Sequence, residues 1–168
     1  MARPKGNHAV TAQRRQEVLA AALEIFGENG FRGASLRQVA EKVGMTEAGI
    51  LHHFKTKGNL LQAVLDLRDQ ESERYVPRED FTGIEFIVGW MRLLKYNLAH
   101  KGIVDLYATV SAEATSEDHP AHEYFKSRFE MVSDVTERAF TILDTEGRLN
   151  PGIHPHSAAR IFIAISDG

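Results

Sequence analysis

The sequence contains no cysteine, no apolar run of membrane-spanning length and no common catalytic motif. Without cysteine, a disulfide framework and a thiolate zinc site are both impossible. The N-terminal segment is polar and basic and lacks the apolar centre of a secretory leader, so we expect a cytoplasmic protein without a membrane partner. A phosphate-binding loop, a nucleophile elbow and an HExxH motif are also missing, which argues against an enzyme.

Charge is divided unevenly along the chain. Residues 1–60 hold nine Lys and Arg against five Asp and Glu, a surplus of +4, whereas the remainder carries −7. A module that binds a polyanion produces such a division, and so does an ordinary solvated face. The charge pattern alone leaves both explanations open.

Apolar residues recur at helical spacing throughout, and no segment alternates as a strand would, so the sequence predicts an all-α protein. We expect a first helix that begins at Thr11 and ends near Gly30. Ser35 and Gln38 have the spacing of a capping box, which opens a short second helix that ends at Gly44.

A third short helix follows, with Thr46 as its N-cap and Ile50 and Phe54 on its buried face. Gly44 allows a positive φ at the corner between the second and third helices. The pattern is typical of a helix-turn-helix that presents its second helix outward, although an ordinary helical hairpin gives a similar one.

The longer stretch VLAAALEIFGENGFRGASLRQVAEKVGMTEAGILHHFKTKGNLLQAVL resembles the N-terminal DNA-binding domain of TetR-family transcriptional regulators. As in that family, an alanine-rich first helix ends at NGF, and LHHFKTKGNLL leads into a fourth helix. The resemblance implies an all-α homodimer that represses promoters at a palindromic double-stranded DNA operator and releases it when a small-molecule effector binds. It also implies an N-terminal arm with a three-helix DNA-binding domain over residues 1–56, and a helical ligand-binding and dimerisation domain over residues 57–168.

Within such a domain, the first residues of the third helix face base edges in the major groove. Arg37 matches a position that reaches a base in some family members. Lys57 lies at a helix start, where free N–H groups and a cation together favour phosphate. The predicted DNA-binding residues are Ser35, Arg37, Thr46, Glu47, Ala48, Gly49, His52, His53, Lys55 and Lys57.

Two positions depart from the family pattern. Leu51 stands where a tyrosine is usual, and Gly49 where Thr or Ser is frequent, so neither side chain offers a hydrogen bond. Base recognition through hydrogen bonds should be sparser than usual. The leading basic residues, Arg3, Lys5, Arg14 and Arg15, either reach along the minor groove as an arm or are disordered.

The later segment FTGIEFIVGWMRLLKYNLA is apolar over so broad an arc that we expect a deeply buried helix. The resemblance places an effector pocket for a mostly apolar small molecule in this part of the chain, although residues of these types are more often ordinary core. Its predicted lining is Phe86, Trp90, Met91, Tyr107, His122, Phe125 and Phe129. The apolar end at IFIAIS leads us to expect a further helix that completes a dimer.

Two alternatives stay open. His119, His122 and Glu123 are spaced so that a metal-dependent helical enzyme is conceivable, although no third ligand spacing supports a metal and we expect no cofactor. His52 and His53 are adjacent on a helix and cannot converge on one ion. The other alternative is a helical adaptor that keeps the fold and no longer reads DNA, as Gly49 and Leu51 suggest.

Overall fold

In the computed structural model the described residues, 5–76, 78–79 and 81–167, form α-helices and no strand, which confirms the all-α prediction. Side chains are described between residues 11 and 166. None of the helices in these ranges is long and apolar enough to cross a membrane. The helices are α1 Lys5–Gly33, α2 Leu36–Val43, α3 Glu47–Phe54, α4 Lys57–Glu73, α5 Gly83–Ala99, α6 Lys101–Glu113, α7 His122–Thr145 and α8 Pro155–Asp167.

These helices divide into two compact units. The first unit combines Met1–Arg68 with Lys101–His122, and the second combines Asp69–His100 with Glu123–Gly168. Within the first unit α6 packs against α1, although α2 to α5 lie between them in sequence. The functional boundary between residues 56 and 57 stays a prediction.

Helix α1 begins at Lys5, so the prediction of an N-cap at Thr11 is wrong, and Thr11 lies inside the helix. Capping preference is a local signal, and no proline after Pro4 prevents an earlier start. Arg14 and Arg15 are helical and do not belong to an arm. Arg3 and the Lys5 side chain lie outside the described residues.

Gly30 interrupts α1 as its sequence predicts. Its φ of 70° and ψ of 177° are not helical, and one further turn resumes up to Gly33. A Cβ at this position would overlap the Glu113 carboxylate, so glycine is required here both for the backbone angle and for the space. The interruption lets α1 redirect the chain toward α2.

The core of the first unit comes from α1 to α4 and α6. Helix α1 contributes the predicted apolar face, including Val18, Ala22 and Phe26, each at most 1% exposed. The remaining buried apolar side chains of this core are Leu19, Ala21, Ile25, Ala34, Val39, Ala40, Ile50, Phe54, Leu60, Leu61, Val64, Leu65, Ile103, Leu106, Val110, Ala114 and Ala121. This core fixes α2 and α3 against α1.

In the second unit only one face of α5 is buried, so the prediction of a deeply buried helix is wrong for the other face. Phe86, Gly89 and Leu93 are covered. The opposite face exposes Ile84, Val88, Met91 and Leu98. The sequence shows which residues of the helix are apolar, but it does not show which of them a neighbouring element covers. The predicted break at Pro77 lies outside the described residues, and α4 ends at Glu73.

Candidate nucleic-acid interface

The corner between α2 and α3 has the predicted chemistry. The Ser35 Oγ accepts from the Gln38 N–H, and the Gln38 side chain accepts from the Ser35 N–H at 2.8 Å, which confirms the capping box. Gly44 ends α2 with a φ of 66°, and the Met45 N–H returns to the Ala40 carbonyl at 2.9 Å. Helix α3 therefore leaves the corner in a fixed direction.

Helix α3 is held at both ends. Thr46 accepts from the Gly49 N–H at 3.1 Å, as predicted, and the Lys55 N–H donates to the Leu51 carbonyl at 2.8 Å. On the inner face, Ile50 is fully buried and Phe54 is 4% exposed. The Arg15 guanidinium lies 4.8 Å from the centre of the Phe54 ring.

The outer face of α3 is open. Its exposed residues are Glu47, Ala48, Leu51 and His52, and Lys55 is exposed just beyond the helix. The His52 and His53 rings meet edge to face with centroids 5.4 Å apart. A short helix, fixed on its inner face and open on its outer face, is the geometry that a major groove accepts.

Arg37 lies on the exposed surface of α2. Its Nε donates to the Glu41 carboxylate at 2.8 Å, and the side chains are 75% and 63% exposed. Glu41, through this hydrogen bond and its charge, raises the Arg37 pKa above its ordinary value, and Glu47 adds to the effect. An ion pair this exposed contributes little stability, so Arg37 can exchange it for a base edge at small cost.

Ser35 and Lys57 are already engaged within the protein. The Ser35 hydroxyl donates to Gln38 Oε1 at 2.9 Å while it caps α2. The Lys57 ammonium donates to the Phe31 and Ala34 carbonyls at 2.7 and 2.8 Å and lies 4.4 Å from the Phe31 ring centre. Two of its three hydrogens are therefore used, and partial burial lowers the Lys57 pKa. Their contact with phosphate stays a prediction.

Glu113 was not identified from the sequence. Its carboxylate on α6 accepts from the Phe31 N–H at 2.7 Å and, less closely, from the Arg32 N–H. Both donors belong to the turn that follows the Gly30 interruption. Glu113 thus caps the N–H groups of the last turn of α1. Lys57 donates to the Phe31 carbonyl in the same turn and to the Ala34 carbonyl just after it. No local pattern predicts this contact, because its partners are 82 residues apart.

His119 completes this cluster from the loop after α6. It is 4% exposed, and its Nδ1 accepts from the Ala121 N–H, so the ring hydrogen lies on Nε2, 3.4 Å from Glu113. Its ring meets Phe31 edge to face. Burial lowers the His119 pKa, and Glu113 opposes that effect.

The residues of the metal-dependent alternative also have contacts within the protein. The His122 Nδ1 lies 2.9 Å from the Ala114 carbonyl. Among the described residues, no three His, Asp or Glu side chains are grouped so that they could hold a metal ion. His119, His122 and Glu123 therefore do not form the site that the enzyme alternative requires.

The second unit contains a narrow cavity of about 40 Å³. Trp90 and Phe86, both predicted ligand residues, line it, and the Trp90 Nε1 donates to Ser166 Oγ at 3.0 Å. Arg128 and Asp69, which form a mostly buried ion pair, are also part of the lining. The other lining residues are Ser72, Glu73, Val76, Arg78, Leu93, Met131, Val132 and Val135.

The other predicted ligand residues lie elsewhere. Met91 and Phe129 are each 63% exposed and do not line the cavity. Tyr107 and His122 belong to the first unit, where Tyr107 stacks with Arg68. Phe125 is half-buried on α7 and is not part of the lining. Aromatic character alone did not identify the face that each helix turns toward the cavity.

Several known proteins are similar to this chain. Residues 18–64 match the family model described as bacterial regulatory proteins, tetR family. The chain is 27% identical over 155 residues to the HTH-type transcriptional regulator UidR of Escherichia coli K12, covering 92% of this chain and 78% of the relative. It is 32% identical over 109 residues to the HTH-type transcriptional repressor AcnR of Corynebacterium diphtheriae, covering 63% and 51%.

Among solved structures, AibR in complex with isovaleryl coenzyme A and operator DNA superposes with a TM-score of 0.73, at 22% identity, over 91% of this chain and 83% of that one. The capped corner and the open face of α3, together with these matches, define a helix-turn-helix transcriptional regulator. Residues 18–64 are a TetR-type DNA-binding region, as the sequence resemblance indicated. These relatives are transcriptional regulators.

Proposed function

We propose that the protein is a homodimeric repressor that binds a palindromic operator and releases it when a small molecule occupies the second unit. The observation that carries this proposal is the open outer face of α3, fixed from behind by Ile50 and Phe54 and capped at Thr46. A two-fold dimer presents two such helices, so the operator should contain two related half-sites. Such a regulator works in the cytoplasm, where the chromosomal DNA lies.

The proposed DNA contacts divide by chemistry. Arg37 and Glu47 carry groups that hydrogen-bond to base edges, arginine to guanine and glutamate to cytosine. His52, His53 and Lys55 lie at the end of α3 and are proposed to contact phosphate. Ser35 and Thr46 cap the starts of α2 and α3, and Gly49 donates its main-chain N–H to Thr46. Phosphate contacts position the protein, and base contacts select the sequence.

The cavity that Phe86 and Trp90 line is the proposed effector site. Ligand pockets for drug-sized molecules measure roughly 300 Å³ or more, whereas this one measures about 40 Å³. An effector must therefore widen it, and the widened form is the one that the effector binds more tightly. Asp69 and Glu73 line the cavity and belong to the last turns of α4, whose earlier turns are part of the first unit. Widening of the cavity would therefore act directly on the position of α4.

Selection of duplex DNA from a random pool tests DNA binding. We expect enrichment of a palindrome, and a pool without enrichment would leave the adaptor alternative. A thermal-shift screen of small molecules, followed by operator titrations with each stabilising compound, tests release. Trp90 is the single tryptophan, so its fluorescence reports occupation of the cavity. A compound that changes this fluorescence and leaves operator affinity unchanged would contradict the coupling.

A further inference from the structure

Leu51 is an exposed apolar residue on the face of α3 that is proposed to meet DNA. Its side chain is 39% exposed, while Ile50 and Phe54 beside it on the same helix are buried. Ala48, three residues earlier, is exposed as well. Residues three apart on a helix are neighbours, so Leu51 and Ala48 together form a small apolar patch between Glu47 and His52.

This patch has a fixed direction. Hydrogen bonds at Thr46 and Lys55 close both ends of α3, and the buried inner face prevents rotation of the helix. The neighbouring polar side chains Glu47, His52 and Lys55 surround the patch and suit it to a charged, hydrated partner. An apolar patch within such a rim needs an apolar group on that partner.

The major groove offers one apolar group, the 5-methyl of thymine. Leucine and alanine cannot hydrogen-bond to a base edge with their side chains, so the favourable base contact open to them is with this methyl. Resting on the proposed DNA binding, we propose that Leu51, supported by Ala48, reads thymine methyl groups in each half-site and so selects A·T pairs there. Leu51 is then a specificity residue that acts by apolar contact, where hydrogen-bonding groups are few.

Deoxyuridine tests this directly, because it differs from thymine only by the missing methyl. In the operator selected by the wild-type protein, each thymine is replaced in turn by deoxyuridine in both half-sites, and affinity is measured by fluorescence anisotropy. Loss of one buried methyl-sized group predicts a weakening of about fourfold for each half-site. We expect this at one or two thymine positions per half-site.

Three variants complete the measurement. Leu51→Ala shortens the side chain, and Leu51→Asn replaces it with a polar one of similar size, and both should bind thymine and deoxyuridine operators equally. Leu98→Ala removes an even more exposed leucine on α5 and should keep the full discrimination. Thermal melts should agree among all four proteins, since neither leucine is buried.

The outcomes separate the two proposals. An enriched operator at which no thymine is sensitive, or at which sensitivity persists in both Leu51 variants, overturns the role of Leu51 and leaves DNA binding intact. A selection without any enriched sequence overturns the DNA-binding proposal and the role of Leu51 with it. Discrimination lost only in the Leu51 variants supports the inference.

Discussion

The Glu113 carboxylate accepts a hydrogen bond of 2.7 Å from the main-chain N–H of Phe31, and this contact caps the last turn of α1 from α6. Hydrogen bonds to charged groups contribute about 1.5–3 kcal/mol. Glu113→Gln keeps the shape and removes the charge, so we expect it to lower the free energy of unfolding by about 1–2 kcal/mol. Urea denaturation measures this. Glu117→Gln changes an exposed carboxylate on the loop after α6 and should lower it by less than about 0.5 kcal/mol.

Lys57 and Lys55 should separate stability from DNA affinity. Lys57→Met keeps the aliphatic stem and removes the donor to the Phe31 and Ala34 carbonyls, so unfolding should become easier by about 1–3 kcal/mol. Lys55→Met removes an exposed charge next to α3, and stability should change by less than about 0.5 kcal/mol.

The salt dependence of operator binding completes the comparison. Lys55→Met should reduce the slope of log affinity against log salt by about one for each half-site. Lys57→Met should reduce the slope by less than one for each half-site when measured on folded protein, because two of the three ammonium hydrogens already serve the Phe31 and Ala34 carbonyls. If Lys57→Met lowers the slope by a full unit and leaves stability unchanged, the ammonium contacts phosphate in the complex and its carbonyl contacts are secondary.

Arg37 should contribute to base selection and not to stability. Arg37→Ala removes an exposed pair with Glu41, so the free energy of unfolding should change by less than about 1 kcal/mol. Operator affinity should fall by about 1–3 kcal/mol, with relaxed preference at one symmetry-related pair of positions. Titrations on single-pair operator variants measure this. Arg74→Ala, which removes an exposed arginine paired with Glu71 in the second unit, is the control.

Equal loss of affinity on every operator variant would give Arg37 a different role. It would then hold phosphate only, and selection would have to come from the residues of α3 or from the shape of the DNA.

Burial of His119 should make stability depend on pH. Burial lowers its pKa below 6.5, with Arg32 in the same direction and Glu113 and Asp118 opposed. The folded state therefore binds fewer protons than the unfolded one, so the contribution is complete above pH 6.5 and is lost as pH falls toward the folded pKa. We expect the wild type to lose more stability than His119→Phe between pH 7 and pH 5.

Urea unfolding at several pH values measures this difference. His119→Phe keeps a ring against Phe31 and removes the titrating group. His156→Gln, at an exposed histidine on α8, shows how far the loss of any one imidazole changes the slope. Parallel pH profiles for wild type and His119→Phe would mean that His119 takes up protons equally in the folded and unfolded states, and would contradict this prediction.

Local chemistry allowed the corner of the helix-turn-helix to be predicted from the sequence. The caps at Ser35 and Thr46 and the positive φ at Gly44 each depend on residues within four positions of one another. Contacts between distant segments could not be predicted. Glu113 on Phe31 and the acceptors of Lys57 join parts of the chain that only the folded core brings together.

The candidate effector site shows the same limit. The sequence identified Phe86 and Trp90, because large apolar residues concentrate on α5. It did not identify the Arg128–Asp69 pair, since each of these charged residues resembles an ordinary surface residue until its partner is known. Met91 and Phe129 are apolar like Phe86, and only the packing of α5 and α7 decides which faces are covered.

The packing of α6 on α1 has a consequence for synthesis of the chain on the ribosome. The helices that carry the proposed DNA-binding face are translated before α6, whose buried residues Leu106 and Val110 and whose capping residue Glu113 follow only after α5 has been made. Contacts that close such a long stretch of chain form late and slow folding. The first four helices therefore leave the ribosome with part of the α1 surface uncovered, and a nascent chain interrupted before residue 101 exposes that surface to chaperones and proteases.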